Sequence, residues 1–131
     1  MKLSIIIVNY NTSHFISQTI RSIKNSNLNI NYEIIIVDNN SNDQSIDFIK
    51  KQFTQIKLIE NPSNYGFSKA VNIGVSDSEG EFILILNPDT ILKKDTISEL
   101  YQTLLNYSNI GVVGGKILDC NGKFQLSSRR A

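Results

Sequence analysis

The sequence predicts an α/β fold: a three-layer αβα arrangement around a mostly parallel, doubly wound sheet. Short runs of β-branched residues alternate with segments of helical period, the spacing expected of right-handed βαβ crossovers. The first run, residues 3–9, is apolar almost throughout, as a strand buried on both faces of a parallel sheet must be. Polar clusters close the runs, namely Asn9-Tyr10-Asn11, Asp38-Asn39-Asn40-Ser41 and Asn87-Pro88-Asp89. In open α/β sheets ligands bind at this carboxyl edge of the strands.

After the first strand the period changes. Phe15, Ile16, Thr19, Ile20 and Ile23 fall on one helical face, with Thr12 or Ser13 as its N-cap. Residues 25–31 read as a polar turn, and 33–37 as a second buried strand that ends in turn-forming and capping residues. Ile46, Ile49 and Phe53 mark a second helix, followed by a short third strand over 56–59. Beyond 61–66, Phe67, Ala70, Val71, Gly74 and Val75 recur at helical spacing. A fourth buried strand is predicted over 81–87. Pro88 has no N–H to extend a ladder and disfavours helix at Asn87, so the strand stops there and Asp89 projects from a rigid edge. Thr96-Ile97-Ser98-Glu99 has the form of a capping box, ahead of a helix whose apolar face is Ile97, Leu100, Tyr101, Leu104 and Leu105. A fifth strand is predicted over 110–118, with 119–122 as a hairpin turn.

The 131 residues and 40% hydrophobic content suit one domain, 1–131, with one core. Thirteen basic and twelve acidic residues leave a net charge of +1, so no global field recruits nucleic acid or an acidic membrane. Cys120 is the sole cysteine, which excludes an intrachain disulfide and a Cys-rich zinc site and fits a reducing, cytoplasmic setting. The amino-terminal apolar run breaks at Asn9-Tyr10-Asn11 without a small-residue cleavage site, so it reads as a strand and not as a secretion signal.

The first glycine is Gly66, so the turn after the first strand contains none. Both common phosphate cradles, G-x-G-x-x-G and G-x-x-x-x-G-K-[ST], need glycine at that turn. Asn9-Tyr10-Asn11 instead offers an aromatic face and two amides, suited to stacking a base and bonding its edge. A carboxylate at the second strand end can accept the imino N–H of uracil or thymine. Asp89 can share a divalent cation with a diphosphate, since hard oxygen ligands suit Mg2+ or Mn2+. Together these groups describe a nucleoside-diphosphate site.

Taken in order, Val8-Asn9-Tyr10-Asn11, Val37-Asp38-Asn39-Asn40-Ser41, the segment Asn64-Tyr65-Gly66-Phe67-Ser68-Lys69-Ala70-Val71-Asn72-Ile73-Gly74 and Leu86-Asn87-Pro88-Asp89 resemble family 2 glycosyltransferases of the GT-A fold. The Asn-Pro-Asp form and the ending Gln125-Leu126-Ser127-Ser128-Arg129-Arg130 are most similar to the rhamnosyltransferase-like branch. The resemblance implies a nucleotide-sugar donor, UDP- or dTDP-linked, and a glycan or lipid-linked acceptor. It implies Tyr10 against the nucleobase, Asp38 on its imide edge, and Val8, Asn9 and Asn40 in the same donor pocket. Asn64, Gly66, Phe67, Lys69 and Asn72 would pass beside the ribose and diphosphate, with Lys69 a candidate phosphate contact. Asn87 and Asp89 would stand where the family has Asp-x-Asp, with Asp89 the ligand of a Mn or Mg ion. Asn87 removes one negative charge from that pair. The family's usual reaction inverts the anomeric centre, with a carboxylate taking the acceptor proton. No element before Ala131 corresponds to that base, so the expectation is an N-terminal, donor-binding part of a longer enzyme, cytoplasmic and peripheral to the inner face of the membrane.

Other readings of the same residues are a non-enzymatic α/β receiver or nucleotide-binding module, and a nucleotidyltransferase. A receiver needs acids clustered beside its aspartate, whereas Asp38 is followed by amides and Ser41. Taken singly, Tyr10 could be a packing aromatic, Asp38 a helix cap and Asp89 a type I turn residue after Pro88. His14, Lys93-Lys94 and Cys120 read as surface residues, and Arg129-Arg130 as solvated charge with phosphate contact as the alternative.

Overall fold

A computed structural model describes residues 2–125. Four parallel strands, β1 (Leu3–Asn9), β2 (Tyr32–Asp38), β3 (Lys57–Glu60) and β4 (Phe82–Leu86), form a sheet in the order β3-β2-β1-β4. They alternate with α1 (Ile16–Lys24), α2 (Ser45–Gln52) and α3 (Phe67–Ser76), and α4 (Thr96–Asn106) follows β4. β1 and β2 pair over their whole length from Leu3↔Tyr32 to Asn9↔Asp38, which aligns their carboxyl ends. This is the predicted α/β class, with helices on both faces.

The two faces are packed differently. On one, Leu3, Ile5 and Ile7 of β1 and Ile34 and Ile36 of β2 meet Ile16, Ile20 and Ile23 of α1, Ile49 of α2 and Ile97 of α4. On the other, Val8, Ile35 and Val37 meet Ala70 and Val71 of α3. A Cβ at Gly74 would lie 2.7 Å from Ile6 Cγ2, so glycine there lets α3 approach the sheet closely. α3 lies over β1 and β2. It leaves β4 uncovered on this face, and burial along β4 alternates, with Ile83 and Ile85 exposed. The fourth strand is therefore half-buried, not the fully buried strand the sequence predicts.

Three local expectations are corrected. Residues 110–118 form no strand. Gly111, Gly114 and Gly115 contribute no side chain to pack and Val112 is 88% exposed, so only an isolated Leu118–Phe124 bridge forms. The turn at 119–122 is present, with Gly122 at φ 75° and Asp119 Oδ1 accepting from the Asn121 and Lys123 N–H groups. The capping box does not form, because α4 begins at Thr96 itself with Asp95 as N-cap and no side-chain cap bond. The Asp95 carboxylate instead accepts from Asn27 Nδ2 at 2.8 Å. Finally, α1 starts at Ile16, and neither Thr12 nor Ser13 caps it. The Thr12 hydroxyl is committed to Asn9 Oδ1, and the Thr12 carbonyl accepts the first N–H groups, from Phe15 and Ile16.

Candidate functional site: the carboxyl rim between β1 and β4

The chain leaves β1 toward β2 and β3, then returns through α3 to the opposite side of β1. β1 and β4 thus flank the topological switch point, the crevice where open α/β sheets hold ligands. Asn9 and Tyr10 end one wall of it, and Asn87, Pro88 and Asp89 end the other.

The β1–β2 end is wired by buried polar groups. Asn9 is fully buried and Asp38 is 3% exposed. Asn9 Nδ2 donates to Asp38 Oδ1 at 2.7 Å, to Ser45 Oγ at 2.9 Å and to Ser41 Oγ at 3.1 Å. Ser41 donates to the same carboxylate through its hydroxyl (2.6 Å) and its backbone N–H (2.9 Å, on Oδ2). Asp38 is therefore bound into the rim, and Oδ2 retains acceptor capacity beside its bond to Ser41. Asn11 and Asn40 adopt positive φ, 55° and 63°, a backbone region asparagine tolerates better than most residues. Tyr10 is 48% exposed among these anchored neighbours, its ring free to meet a flat ligand.

One residue of this network is not singled out by the sequence. Asp43 Oδ2 accepts from Ser13 N–H at 2.8 Å, and its Oδ1 accepts from Ser45 N–H at 3.0 Å and from the Ser45 hydroxyl. Burial pushes this carboxyl up, but the bonds from the Ser45 hydroxyl and from the Ser13 and Ser45 N–H groups outweigh it and hold it below the ordinary value. Asp-x-Ser at a helix start is a local sign of capping, whereas the partner at Ser13 lies thirty residues away.

A second polar cluster fixes the start of α3. Asn39 Nδ2 donates to the Gly66 carbonyl at 3.2 Å, and Asn39 Oδ1 accepts from Asn61 Nδ2 at 2.9 Å. Asn64 Oδ1 accepts from Gly66 N–H, and Gly66 turns the chain at φ 77°. Phe67 and Val75, placed on the apolar face by their spacing, are exposed, and it is Ala70, Val71 and Gly74 that are buried, with Ile73 packed beside them. Lys69 and Asn72 line a shallow hollow of about 460 Å3 with Ile59 and Asp77, and the Lys69 ammonium sits 3.8 Å from the Tyr65 ring centroid. That hollow lies on the β3 side, and three strand spacings, roughly 14 Å, separate β3 from β4. The hollow that Lys69 and Asn72 line contains no residue of β4 or of the 87–90 turn.

At the β4 end, Asn87 to Thr90 form a turn closed by Thr90 N–H on the Asn87 carbonyl. Helix α1 pins it: Thr19 Oγ1 donates to the Pro88 carbonyl at 2.6 Å, and Ser22 Oγ accepts from Leu92 N–H at 3.1 Å. Asn87 and Asp89 are exposed, and neither side chain makes a hydrogen bond or ion pair among the described residues. No group of three or more His, Cys, Asp or Glu able to hold a metal occurs among them. A single outward carboxylate on a fixed turn fits a hard cation that takes its remaining oxygens from a diphosphate and water, and does not fit an all-protein cage. In the ending 125–130, residues 126–130, including Arg129-Arg130, lie outside the described residues.

An all-parallel sheet with an exposed aromatic on one wall of its switch point and, on the other, a carboxylate without a partner among the described residues defines an open α/β protein with a crevice at its carboxyl rim. The family model described as Glycosyl transferase family 2 matches residues 4–130, and the chain belongs to that family. It is 30% identical over 115 residues to the glycosyltransferase GlyG of Streptococcus pneumoniae, covering 86% of this chain and 38% of that protein. It is 33% identical over 129 residues to the poly(ribitol-phosphate) beta-glucosyltransferase of Bacillus spizizenii, covering 94% of this chain and 20% of the other. The solved structure of S. aureus TarS 1–349 in complex with UDP-GlcNAc matches with a TM-score of 0.73 at 21% identity, over 93% of this chain and 42% of that one. Mannosyltransferase PcManGT from Pyrobaculum calidifontis, in complex with GDP-Man and Mn2+, matches at 0.76 and 19% identity, over 90% and 36%. The fold is that of the GT-A glycosyltransferases. The chain spans less than half the length of the curated relatives named here.

Proposed function

We infer that this chain is the donor-binding part of an enzyme that transfers a sugar from a UDP- or dTDP-linked donor to a glycan or lipid-linked acceptor during cell-surface polysaccharide synthesis. The observation that carries this reading is the placement of exposed Tyr10 and of Asp89, whose carboxylate has no partner among the described residues, on the two walls of the switch point. The base lies on Tyr10 and presents its imide N–H to the remaining acceptor site of Asp38 Oδ2. The diphosphate then runs toward β4, where Asn87 offers an amide and Asp89 a carboxylate. Asp89 would hold a Mn2+ or Mg2+ ion against the diphosphate, where such an ion offsets the charge of the departing group. Pinning of the Pro88 carbonyl by Thr19 keeps that carboxylate in place without reorganisation, as stabilisation of developing charge requires.

Direct displacement at the anomeric carbon, with inversion, is the reaction we assign, and no residue in 2–125 is given the role of acceptor base. The Asn-Pro-Asp form supports a rhamnosyl donor as the first to try. Relatives named for poly(ribitol-phosphate) support a cell-surface polymer as acceptor. The reading carries with it a cytoplasmic location, peripheral to the inner face of the membrane.

Calorimetric titration with UDP, dTDP, GDP and ADP, each with and without Mn2+, tests it. Binding of UDP or dTDP in clear preference to both purine nucleotides, strengthened by Mn2+, is the expected result. Equal affinity for all four, or no binding, overturns it.

A further inference from the structure

The loop that carries Tyr10 is held from outside itself. Asn9 Nδ2 reaches Asp38, Ser41 and Ser45. The Asn11 N–H donates to Ser41 Oγ at 2.9 Å, and Asn11 Oδ1 accepts from Asn42 N–H at 2.9 Å. The Ser13 N–H donates to Asp43 Oδ2. Thr12 closes back on Asn9 Oδ1. Every residue from 9 to 13 except Tyr10 thus spends a polar group on fixing the loop, and Tyr10 is left presenting its ring.

Asp43 is the point where this lacing meets the helices. Closing the turn that leads into α2 requires only one of its oxygens, the one that accepts from Ser45. The other is spent on Ser13, in a different loop, which closing that turn does not call for. Ser45 completes a chain of bonds by accepting from Asn9 while donating to Asp43. The path Asn9–Ser45–Asp43–Ser13 therefore grips the Tyr10 loop on both sides of the ring.

We propose that Asp43 is a positioning residue for donor binding: it touches no ligand, and sets the placement of the Tyr10 ring against the base by tying Ser13 to the start of α2. This rests on the reading of Tyr10 as the base contact. Replacement by asparagine is a sharp probe, because an amide accepts through one end only. Asp43→Asn can accept from the Ser45 N–H or from the Ser13 N–H, but not from both.

The test is a double-mutant cycle on the intact protein, with UDP affinity measured by calorimetry for the unsubstituted protein, Asp43→Asn, Tyr10→Ala and the pair. A residue that acts through Tyr10 loses its effect when Tyr10 is gone. The expected result is roughly a tenfold loss of UDP affinity for Asp43→Asn in the Tyr10 background, falling to less than about twofold in the Tyr10→Ala background. Amide hydrogen exchange at Ser13 is expected to quicken in Asp43→Asn whether or not Tyr10 is present, which separates loosening of the loop from loss of the ring. Unchanged affinity in Asp43→Asn, or an equal loss in both backgrounds, overturns the proposal while leaving the donor reading intact. Failure of the unsubstituted protein to bind UDP or dTDP overturns both.

Discussion

At the β1–β2 end of the rim, Asn9, Asp38, Asn39 and Ser45 are buried and each is bonded to another side chain or to the backbone of a neighbouring loop. At the β4 end, Asn87 and Asp89 stand exposed on a pinned turn, and their side chains bond to nothing among the described residues. The strands below them differ in the same way. β1 is buried at all seven positions, whereas β4 exposes alternate residues. Under the proposed donor reading, the contrast divides the labour of the site. A base is gripped by shape and a few aimed hydrogen bonds, which demand a preorganised frame. A diphosphate is gripped by charge, which is cheapest to hold ready in water, since a buried unpaired carboxylate would be costly.

The largest test of that contrast lies in the core beneath the wired end. Ile35→Ala, which empties a fully buried position on β2, is expected to cost about 4 kcal/mol of unfolding free energy in a urea titration. A loss below about 1 kcal/mol would show that this half of the sheet is not the rigid part. Asn9→Ala comes next. It removes the donor shared by Asp38, Ser41 and Ser45 and leaves a buried carboxylate short of a partner, for an expected cost of about 3 kcal/mol. Asp89→Ala, its counterpart at the β4 end, is expected to stay within about 0.5 kcal/mol of the unsubstituted protein. Comparable losses from the two would erase the difference between the ends.

A pH titration sharpens the comparison further. The folded-state value of Asp43 lies below its ordinary 3.8, so the stability it contributes is complete above that value and is lost as pH falls through the folded value. Acid unfolding followed by circular dichroism is expected to show a shallower loss for Asp43→Asn as pH falls below the ordinary 3.8, the direction set by the lowered folded value. Identical acid limbs would mean the Ser13 and Ser45 bonds contribute nothing to the folded state. The smallest effect is expected at Ile85→Ala, half-exposed on the open face of β4, where stability should change by less than about 0.5 kcal/mol.

How far the sequence carried depends on the range of the interaction. The four strands were legible because β-branched runs such as Ile5-Ile6-Ile7-Val8 commit the chain to a sheet locally. The strand ends that form the rim were legible for the same reason. Local patterns misled where a tertiary partner took the group they relied on, as with the Thr12 hydroxyl drawn to Asn9 and the Asp95 carboxylate drawn to Asn27. The exposed side of β4 was not legible, because an apolar run does not say which neighbour covers each face. Nor was the reach of Asp43 to Ser13, which joins two loops that only the β1–β2 pairing brings together.

Whether one end of the rim holds the base and the other the diphosphate is tested most directly by comparing UDP with uridine in the presence of Mn2+. Tyr10→Ala is expected to weaken both ligands by the same factor. Asp89→Asn is expected to weaken UDP by roughly tenfold or more while leaving uridine unchanged, the loss of one charged metal and diphosphate contact. If Asp89→Asn leaves UDP affinity unaltered, or weakens uridine equally, the two ends do not divide the donor between them.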